Sequence, residues 1–339
     1  MVLGRGKRVR SPKCVVITGA TAGIGEGLAL HYAKPGVTLA LTGRNGARLD
    51  AVAKACTERC VGVKSRPAPP EQQPHTLLPP VNSGAAVKKG KLNVTDKDGM
   101  AAFLLKVDAD TPVECVWSCA CPCLRLALGK CADAHAVPCL PLLASRSVVP
   151  ASCVIANAGV SEETVGLERD VVGATRSLFA TNVDGVFNTI LPLIPAMKER
   201  RAGQIVIMSS LASTGPLPSG VAYSATKVAV RTYGEALRGL LYRDGVRVNV
   251  VCPGYVESDM TKANKFHMPG IMSMRAAVAT ITAGIAADVP VVIFPSWLAT
   301  IFWAVARVFP ADLAHKLMRR RIGLPPMFYL RGRRSAKSQ

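Results

Sequence analysis

The feature that most constrains the fold is a regular alternation of short apolar runs with helical stretches. Short apolar, β-branched runs are typical of parallel strands that are buried on both faces of a sheet. Strands that alternate with helices predict a parallel sheet covered by helices on both sides. The sequence therefore predicts an α/β fold with a doubly wound parallel sheet. The predicted strands are Lys13–Thr18, Val37–Thr42, a run ending in Lys91–Thr95, Cys153–Ala156, Gly203–Ser210, Val246–Cys252 and Val291–Phe294.

A glycine-rich turn, Thr18–Gly25 (TGATAGIG), follows the first predicted strand and leads into a helix predicted over Glu26–Ala33. Gly19 can adopt a backbone conformation that is closed to other residues, and Gly23 and Gly25 allow close approach of a phosphate. The amino end of the following helix presents N–H groups and a positive dipole to such a phosphate. The turn therefore predicts a phosphate-binding loop, although an ordinary strand–turn–helix connection also fits.

Arg44 stands just beyond the second predicted strand and before a helix predicted over Ala47–Arg59. In a dinucleotide site, an acidic residue at this strand end hydrogen-bonds the ribose 2′-hydroxyl of NAD, whereas an arginine accommodates the 2′-phosphate of NADP. The charge and the forked donors of the guanidinium suit a phosphate. Because the acidic residue is missing here, the sequence favours NADP over NAD. A surface arginine at the start of the next helix is the alternative.

Tyr223 and Lys227 lie four residues apart in a helix predicted over Ala222–Arg243. Side chains at this spacing share one helix face, one turn apart. A free tyrosine titrates near ~10, and a neighbouring positive charge favours the phenolate and lowers that pKa. The pair therefore predicts a general acid or base that works near neutral pH, although an amphipathic helix can show this spacing by chance.

Further polar and glycine residues follow predicted strands, at Asn157–Gly159, Ser210 and Pro253–Gly254. Because ligands of parallel α/β sheets bind beyond the carboxyl ends of the strands, these residues predict a site at that edge of the sheet. Ser210 also lies thirteen residues before Tyr223, and Asn182 falls within a long helix predicted inside residues 163–187, between the fourth and fifth predicted strands.

In this order along the chain, these stretches resemble the short-chain dehydrogenase/reductase family over residues 12–60, 91–116 and 153–262. The resemblance implies a Rossmann-like catalytic domain over residues 12–294, with an apolar and basic extension over residues 295–339. It also implies an enzyme that uses a nicotinamide dinucleotide.

The resemblance assigns a role to each of four catalytic residues. Tyr223 would protonate the carbonyl oxygen as hydride arrives at carbon, and Lys227 would lower the pKa of this tyrosine and bind the nicotinamide ribose. Ser210 would polarise the substrate oxygen by a hydrogen bond. Ser209 is the neighbouring candidate, but successive side chains in a strand point in opposite directions, and the spacing favours Ser210. Asn182 would hold a water that links Lys227 to solvent.

The same resemblance implies a set of cofactor contacts, with two departures from the family pattern. Asn93 stands where the family usually has aspartate, and its amide can still bond to adenine. Ser258 replaces the usual threonine beside the nicotinamide carboxamide, and its hydroxyl can make the same contact. The predicted cofactor-binding residues are Thr18, Gly19, Thr21, Gly23, Ile24, Gly25, Arg44, Asn93, Val94, Asn157, Ala158, Gly159, Tyr223, Lys227, Pro253, Gly254, Val256 and Ser258.

Two segments, residues 60–83 and 116–152, interrupt the pattern and show little helical or strand periodicity. When both are cut out, the flanking residues join into connections of the length that the family uses. We therefore predict two insertions, and translated introns would explain them.

Six cysteines cluster around the second segment, but their spacing matches none of the common zinc patterns. Without an oxidising compartment, free thiols are the default. We therefore predict no metal site. The clustered residues are Cys115, Cys119, Cys121, Cys123, Cys131 and Cys139.

The extension begins with an apolar helix predicted over Ser296–Phe309, which is shorter than the ~20 residues of a membrane-spanning helix. The basic run Arg319–Arg321 follows. An apolar helix beside basic residues suits contact with an anionic membrane surface through residues 296–321; docking on the core or in a dimer interface fits equally well. Because Met1–Lys13 lacks the apolar part of a secretory signal, the sequence predicts the cytoplasm or the cytosolic face of an intracellular membrane such as the ER.

The net charge of +20 raises the question of a nucleic-acid partner. The basic residues are spread out, however, and no basic stripe interleaved with aromatics occurs, so we predict no such partner. We predict an NADP(H)-dependent oxidoreductase that interconverts a ketone or aldehyde and an alcohol, with a lipophilic, 3-ketosphinganine-like substrate and a homo-oligomeric state. A catalytically inactive nucleotide-binding protein, its sheet distorted by the second insertion, is the alternative.

Overall fold

A computed structural model describes residues 12–61, 86–110, 153–165, 170–217, 220–262 and 268–310, together with residues 312, 313 and 316. The cysteine cluster lies outside the described residues. So do the two predicted insertions, apart from residues 60 and 61, and most of the predicted basic tail.

Seven strands of the described residues form one parallel sheet. They are β1 (Cys14–Thr18), β2 (Thr38–Gly43), β3 (Ala86–Lys91), β4 (Cys153–Ala156), β5 (Gly203–Met208), β6 (Val246–Pro253) and β7 (Val291–Phe294). Their order across the sheet is β3-β2-β1-β4-β5-β6-β7. β1 pairs with β2 on one side and with β4 on the other, so the direction of winding reverses there. Such a reversal opens a crevice at the carboxyl ends of the strands. The predicted doubly wound parallel sheet is confirmed.

Helices cover both faces of the sheet. They are α1 (Gly23–Tyr32), α2 (Gly46–Val61), α3 (Lys97–Asp110), α4 (Glu162–Val165), α5 (Val171–Phe179), α6 (Gly185–Ile190), α7 (Ile194–Glu199), α8 (Val221–Leu241), α9 (Asp259–Lys262), α10 (Met274–Ala286) and α11 (Ser296–Val308). Leu28 of α1 and Ile281 of α10 are buried on one face with β1 side chains. Met100 of α3 and Leu237 of α8 are buried on the other. Burial on both faces explains why the central strands are apolar at nearly every position.

The helix predicted over residues 163–187 is not continuous. α4 is a single short turn, and α5 begins at Val171, where the Asp170 side chain accepts a hydrogen bond from Gly173 N at 2.9 Å. A π-helical turn, Ala180–Asp184, then joins α5 to α6 and carries Asn182, which is fully buried. The prediction was wrong because one extra residue in a helical turn leaves the apolar periodicity almost unchanged.

The C-terminal helix α11 packs one side against the sheet edge. Leu298 and Phe302 are buried against Leu211, the residue that follows Ser210. The other side leaves Trp297 and Trp303 51% and 55% exposed. Within the described ranges, no helix is both long and apolar enough to cross a membrane.

Candidate active site

A cavity of about 500 Å³ lies at the carboxyl edge of the sheet, where winding reverses. It is bordered by the β1–α1 turn, the end of β2, the loop after β4, the end of β5, helix α8 and the loop after β6. Most of the predicted site residues line it: Gly19, Thr21, Gly23, Ile24, Arg44, Asn93, Val94, Asn157, Ala158, Gly159, Ser210, Tyr223, Lys227, Pro253, Gly254, Val256 and Ser258. Three of them, Thr18, Gly25 and Asn182, do not line it, and each is held by other parts of the protein.

The glycine turn combines two different requirements. Gly19 and Gly23 have φ angles of +64° and +58°, a backbone region that strongly favours glycine. Gly25 has no such strain, but a Cβ there would lie 2.5 Å from Asn157 Nδ2 and closer still to the carbonyl oxygen of Gly19. The structure therefore explains Gly25 by packing inside the turn, whereas the sequence had suggested close approach of a phosphate.

Thr18 and Asn157 tie the ends of β1 and β4 together. The Thr18 hydroxyl accepts hydrogen bonds from the backbone N–H groups of Asn157 and Ala158, at 3.1 and 3.2 Å. In return, Asn157 Nδ2 donates to the carbonyl oxygens of Thr18 and Gly19, at 3.0 and 3.2 Å. This lock fixes the two strand ends that flank the crevice, so Thr18 shapes the cavity from behind it.

The amino end of α1 can receive an anion. Its N-cap residue, Ala22, offers no side-chain hydrogen bond, so no described side chain caps the first N–H groups of the helix. Among the described residues, a Cβ on Gly23 would meet only the Ser258 Cβ, at 3.4 Å. The nearby Thr42 hydroxyl is buried, borders the cavity and has no hydrogen-bond partner among the described residues. Open N–H groups at a helix terminus and an unpaired hydroxyl suit the phosphates and ribose of a dinucleotide.

Ser209 and Ser210 directly follow β5, and their surroundings differ. The Ser209 hydroxyl is buried and donates to the carbonyl oxygen of Lys227 at 2.8 Å, so its hydrogen is already used. Ser210 Oγ instead accepts from Ala212 N at 3.1 Å, which leaves its hydrogen available. Of the two serines, Ser210 has the hydroxyl that can donate to a ligand in the cavity.

Tyr223 and Lys227 occupy the first turns of α8, and the ammonium nitrogen of Lys227 lies 5.6 Å from the centroid of the Tyr223 ring. Lys227 is buried, and its Nζ donates to the carbonyl oxygen of Met208 at 3.0 Å. Burial lowers the pKa of Lys227 to about 8. The side chain is therefore mostly protonated at neutral pH and close to losing its proton.

Glu162 holds the helix that carries Tyr223. Its buried carboxylate accepts from the backbone N–H of Ala222 at 2.8 Å and from that of Tyr223 at 3.3 Å. The residue before this helix is Gly220, which has no side chain to cap it. A carboxylate from α4 therefore replaces the missing local cap and places a negative charge at the positive end of the helix dipole.

Asn182 joins the π-helical turn to two neighbours. Its Oδ1 accepts from Val160 N at 2.9 Å, and its Nδ2 donates to Val160 O at 3.0 Å and to the Thr226 hydroxyl at 3.2 Å. Both hydrogens of the amide are therefore in use. Gly159 lies between this side chain and Lys227: a Cβ on it would lie 3.3 Å from Asn182 Oδ1 and 3.4 Å from Lys227 Nζ.

Several residues that build the site have no recognisable signal in the sequence. Glu162 acts on a helix 60 residues further along the chain, and no motif connects the two. Arg48 and Asp259 both line the cavity and form an ion pair at 3.2 Å. Helical spacing from Arg44 could have suggested Arg48, but nothing in the sequence points to its partner, Asp259. In the parts of the chain that the structure covers, no cluster of three potential metal ligands occurs.

Comparison with known proteins decides the family. The model described as short chain dehydrogenase matches residues 13–71 and 144–268, more than half of the chain. The chain belongs to this family. It is an oxidoreductase of the NAD(P)-dependent short-chain dehydrogenase/reductase type, so the predicted family and enzyme class are confirmed.

Relatives of this short-chain dehydrogenase cover most of its length. An uncharacterized oxidoreductase of Myxococcus xanthus is 29% identical over 310 residues, 91% of this chain and 98% of that protein. A short-chain dehydrogenase from Sphingobium yanoikuyae, solved in complex with NADPH, has 20% identity and a TM-score of 0.61 over 86% of this chain and 91% of that one. A 3-oxoacyl-[acyl-carrier protein] reductase from Brucella melitensis with bound NAD has 20% identity and a TM-score of 0.55, over 84% and 91%. The solved structures support the fold.

Proposed function

We propose that this protein is an NADP(H)-dependent oxidoreductase that interconverts a ketone or aldehyde and an alcohol. One observation carries the proposal: Ser210, Tyr223 and Lys227 border the same cavity as the glycine turn and Arg44. A donor to the substrate oxygen, a proton donor and a dinucleotide site thus face one space. The NADPH and NAD complexes of the two solved relatives add support.

The bound cofactor supplies the hydride, and the residues of this chain manage the substrate oxygen. Ser210, whose hydroxyl hydrogen is available, donates to that oxygen and favours negative charge on it. Tyr223 gives the oxygen its proton. The buried Lys227 ammonium stabilises the resulting phenolate and holds the nicotinamide ribose. We propose that Asn182 contributes as a positioning residue, because its side chain fixes Val160 and Thr226 behind the pair.

The preference for NADP(H) rests on Arg44. Its side chain is exposed at the end of β2 and borders the cavity close to the unpaired Thr42 hydroxyl. A guanidinium in this place suits the 2′-phosphate of NADP, a group that NAD lacks. Thr21 and Asn93 border the same region and complete the adenosine side of the proposed cofactor site.

Titration of NADPH and NADH, followed by protein fluorescence, tests this preference. We expect Arg44→Ala to weaken NADPH binding about tenfold, as for a lost bond to a charged group, and to leave NADH binding unchanged. The matched control is Arg275→Ala, which removes another exposed arginine from the start of α10. Equal losses for both cofactors would contradict the preference for NADP(H), and the absence of binding for either would contradict the proposed function.

We further propose a lipophilic substrate, of which a 3-ketosphinganine-like carbonyl is one example, and contact with an anionic membrane surface. Helix α11 supports both, because its buried side packs against Leu211 beside Ser210 while Trp297, Ile301 and Trp303 stay exposed. Tryptophan side chains favour the boundary between lipid and water. Such contact would place the protein at the cytosolic face of an intracellular membrane such as the ER.

Vesicle sedimentation tests the membrane contact. We expect the protein to pellet with vesicles that contain phosphatidylserine and far less with pure phosphatidylcholine. Replacement of both Trp297 and Trp303 by serine should abolish pelleting, whereas Leu240→Ser, which changes an exposed apolar residue on α8, should not. Binding that is independent of lipid charge, or of the two tryptophans, would contradict the proposal.

We also propose a homo-oligomer formed through α5 and α8. These two neighbouring helices expose a group of large apolar side chains, and such a group suits burial against a second copy. Val172→Glu should then lower the mass found by sedimentation equilibrium, whereas Leu105→Glu on α3 should not. The exposed residues are Val171, Val172, Phe179, Val221 and Val228.

A further inference from the structure

One ion pair bridges the two sides of the proposed cofactor cleft. Arg48, in the first turn of α2, contacts Asp259, the first residue of α9, with 3.2 Å between the guanidinium and carboxylate atoms. The two residues are 211 positions apart along the chain. Both border the cavity described above and also a second cavity of about 500 Å³ behind the glycine turn. The pair therefore stands between the two spaces, at the adenosine end of the proposed site.

The Arg48–Asp259 ion pair is weak enough for Arg48 to change its partner. Each of the two side chains is 58% exposed, and exposed ion pairs are weak because water screens them. Asp259 has a second cation, Lys262, at 3.2 Å, which stays in place when Arg48 leaves. Lys262 and Arg48 both hold the pKa of Asp259 below its usual value, with Lys262 as the larger cause. The Asp259 carboxylate therefore keeps Lys262 as a neighbouring positive charge when Arg48 leaves.

The backbone of Arg48 stays fixed while its side chain can turn. Asn45 Oδ1 accepts from Arg48 N at 3.0 Å and so anchors the start of α2. On the other side, the Thr261 hydroxyl donates to the carbonyl oxygen of Val256 at 2.7 Å and braces the segment that leads into α9. The ion pair therefore joins two anchored backbone segments, the start of α2 and the start of α9, through two flexible side chains.

The charges around the cavity identify the group that would compete for Arg48. Among the described residues that border it, Asp259 is the one carboxylate, whereas Arg44, Arg48 and Lys227 are cations. A phosphate dianion at the end of β2 would offer Arg48 two or three strong acceptor oxygens in place of one exposed carboxylate. A cofactor without that phosphate leaves Arg48 with Asp259.

We propose that Arg48 is a second ligand of the 2′-phosphate. Arg48 pairs with Asp259 in the absence of cofactor and exchanges this carboxylate for the 2′-phosphate when NADP(H) binds. Asp259 is then a positioning residue that lowers NADP(H) affinity and acts only through Arg48. The exchange also frees α9 from its tie to α2. This inference rests on the proposed NADP(H) dependence and adds a residue pair that tunes it.

A double-variant cycle tests the inference, with dissociation constants for NADPH and NADH measured on Asp259→Asn, Arg48→Gln and the combined variant. Asp259→Asn should strengthen NADPH binding relative to NADH by about threefold to fivefold. Arg48→Gln should weaken it relative to NADH by about tenfold. In the combined variant, Asp259→Asn should have no further effect, because its target is missing.

The matched control is Asp50→Asn, which neutralises another exposed carboxylate on α2, one that pairs with Lys89 and does not border the cavity. It should leave the NADPH-to-NADH ratio within twofold. The inference is overturned if Asp259→Asn changes the ratio equally with and without Arg48, since the effect would then be a general one of charge. A wild-type protein that binds NADPH while Asp259→Asn leaves the ratio unchanged overturns this inference alone; a wild-type protein that binds neither cofactor overturns the proposed function as well.

Discussion

The two walls of the candidate active site are built in different ways. The cofactor wall, residues 18–25 and 42–45, consists of one continuous turn and one strand end; its glycine φ angles are set locally, and the Thr18–Asn157 lock ties it to a distant segment. The catalytic wall, residues 157–182 and 209–227, is joined by buried side chains whose partners lie 18 to 61 residues apart. The comparison shows that a phosphate site can be encoded locally, whereas the position of a proton donor depends on distant residues.

The largest expected effect separates chemistry from binding. Tyr223→Phe removes the proton donor of the catalytic wall and leaves the cofactor wall intact. We expect activity to fall by about 10²–10⁴-fold, with cofactor affinity within twofold of wild type. Steady-state kinetics and fluorescence titration measure the two quantities. Tyr233→Phe is the matched control, because Tyr233 lies on the same helix and packs on Phe187, 4.7 Å between ring centroids. A Tyr223→Phe protein with full activity would remove the tyrosine from the mechanism.

The second prediction breaks the cofactor wall. Gly25→Ala places a Cβ 2.5 Å from Asn157 Nδ2 and against the Gly19 carbonyl. We expect it to lower the free energy of unfolding by about 1–3 kcal/mol and to weaken cofactor binding, as measured by urea denaturation and titration. Gly239→Ala in helix α8 is the control, since a Cβ there meets no atom of the described residues within 4 Å. That change should stabilise the protein by up to about 1 kcal/mol. Equal effects at both positions would show that the packing of Gly25 does not matter.

The third prediction changes a residue of the catalytic wall that has no proposed contact with the cofactor or the substrate. Glu162→Ala leaves the N–H groups of Ala222 and Tyr223 without their acceptor. We expect a loss of about 1–3 kcal/mol in the free energy of unfolding and a fall in kcat that exceeds any change in cofactor affinity. Glu162→Gln keeps an acceptor oxygen and should lose less. If both variants keep wild-type kcat, the cap does not position Tyr223.

The last prediction concerns the charge on Lys227. Its pKa in the folded protein, about 8, lies below the ordinary lysine value of 10.5. Between these two pH values the unfolded chain binds more protons than the folded one, so the folded state gains stability as the pH rises. Relative to Lys227→Met, the free energy of unfolding of the wild type should increase by at most about 1.4 kcal/mol per pH unit across this window. Urea denaturation at pH 7, 8, 9 and 10 measures it, and parallel pH profiles would contradict the shift.

Much of the fold and of the site could be predicted from the sequence, but the catalytic wall less than the cofactor wall. The strands, Gly19 and the spacing of Tyr223 and Lys227 follow from backbone and helix geometry. The break before α5 and the π-helical turn at Asn182 were missed because they change the apolar pattern so little. The predicted insertions, the roles of the site residues, the membrane contact and the location remain predictions.

The parallel sheet, its edge of glycine and polar residues, and the family could be inferred from the sequence alone, because they depend on short-range patterns that any chain with the same spacing would show. The folded structure was needed to establish that Gly25 serves packing, that Ser210 rather than Ser209 keeps a free hydrogen, and that Glu162 caps the helix of Tyr223. It also paired Arg48 with Asp259. Hydrogen bonds and ion pairs of this kind join residues from distant parts of the chain, and the local sequence around either partner carries no sign of the other.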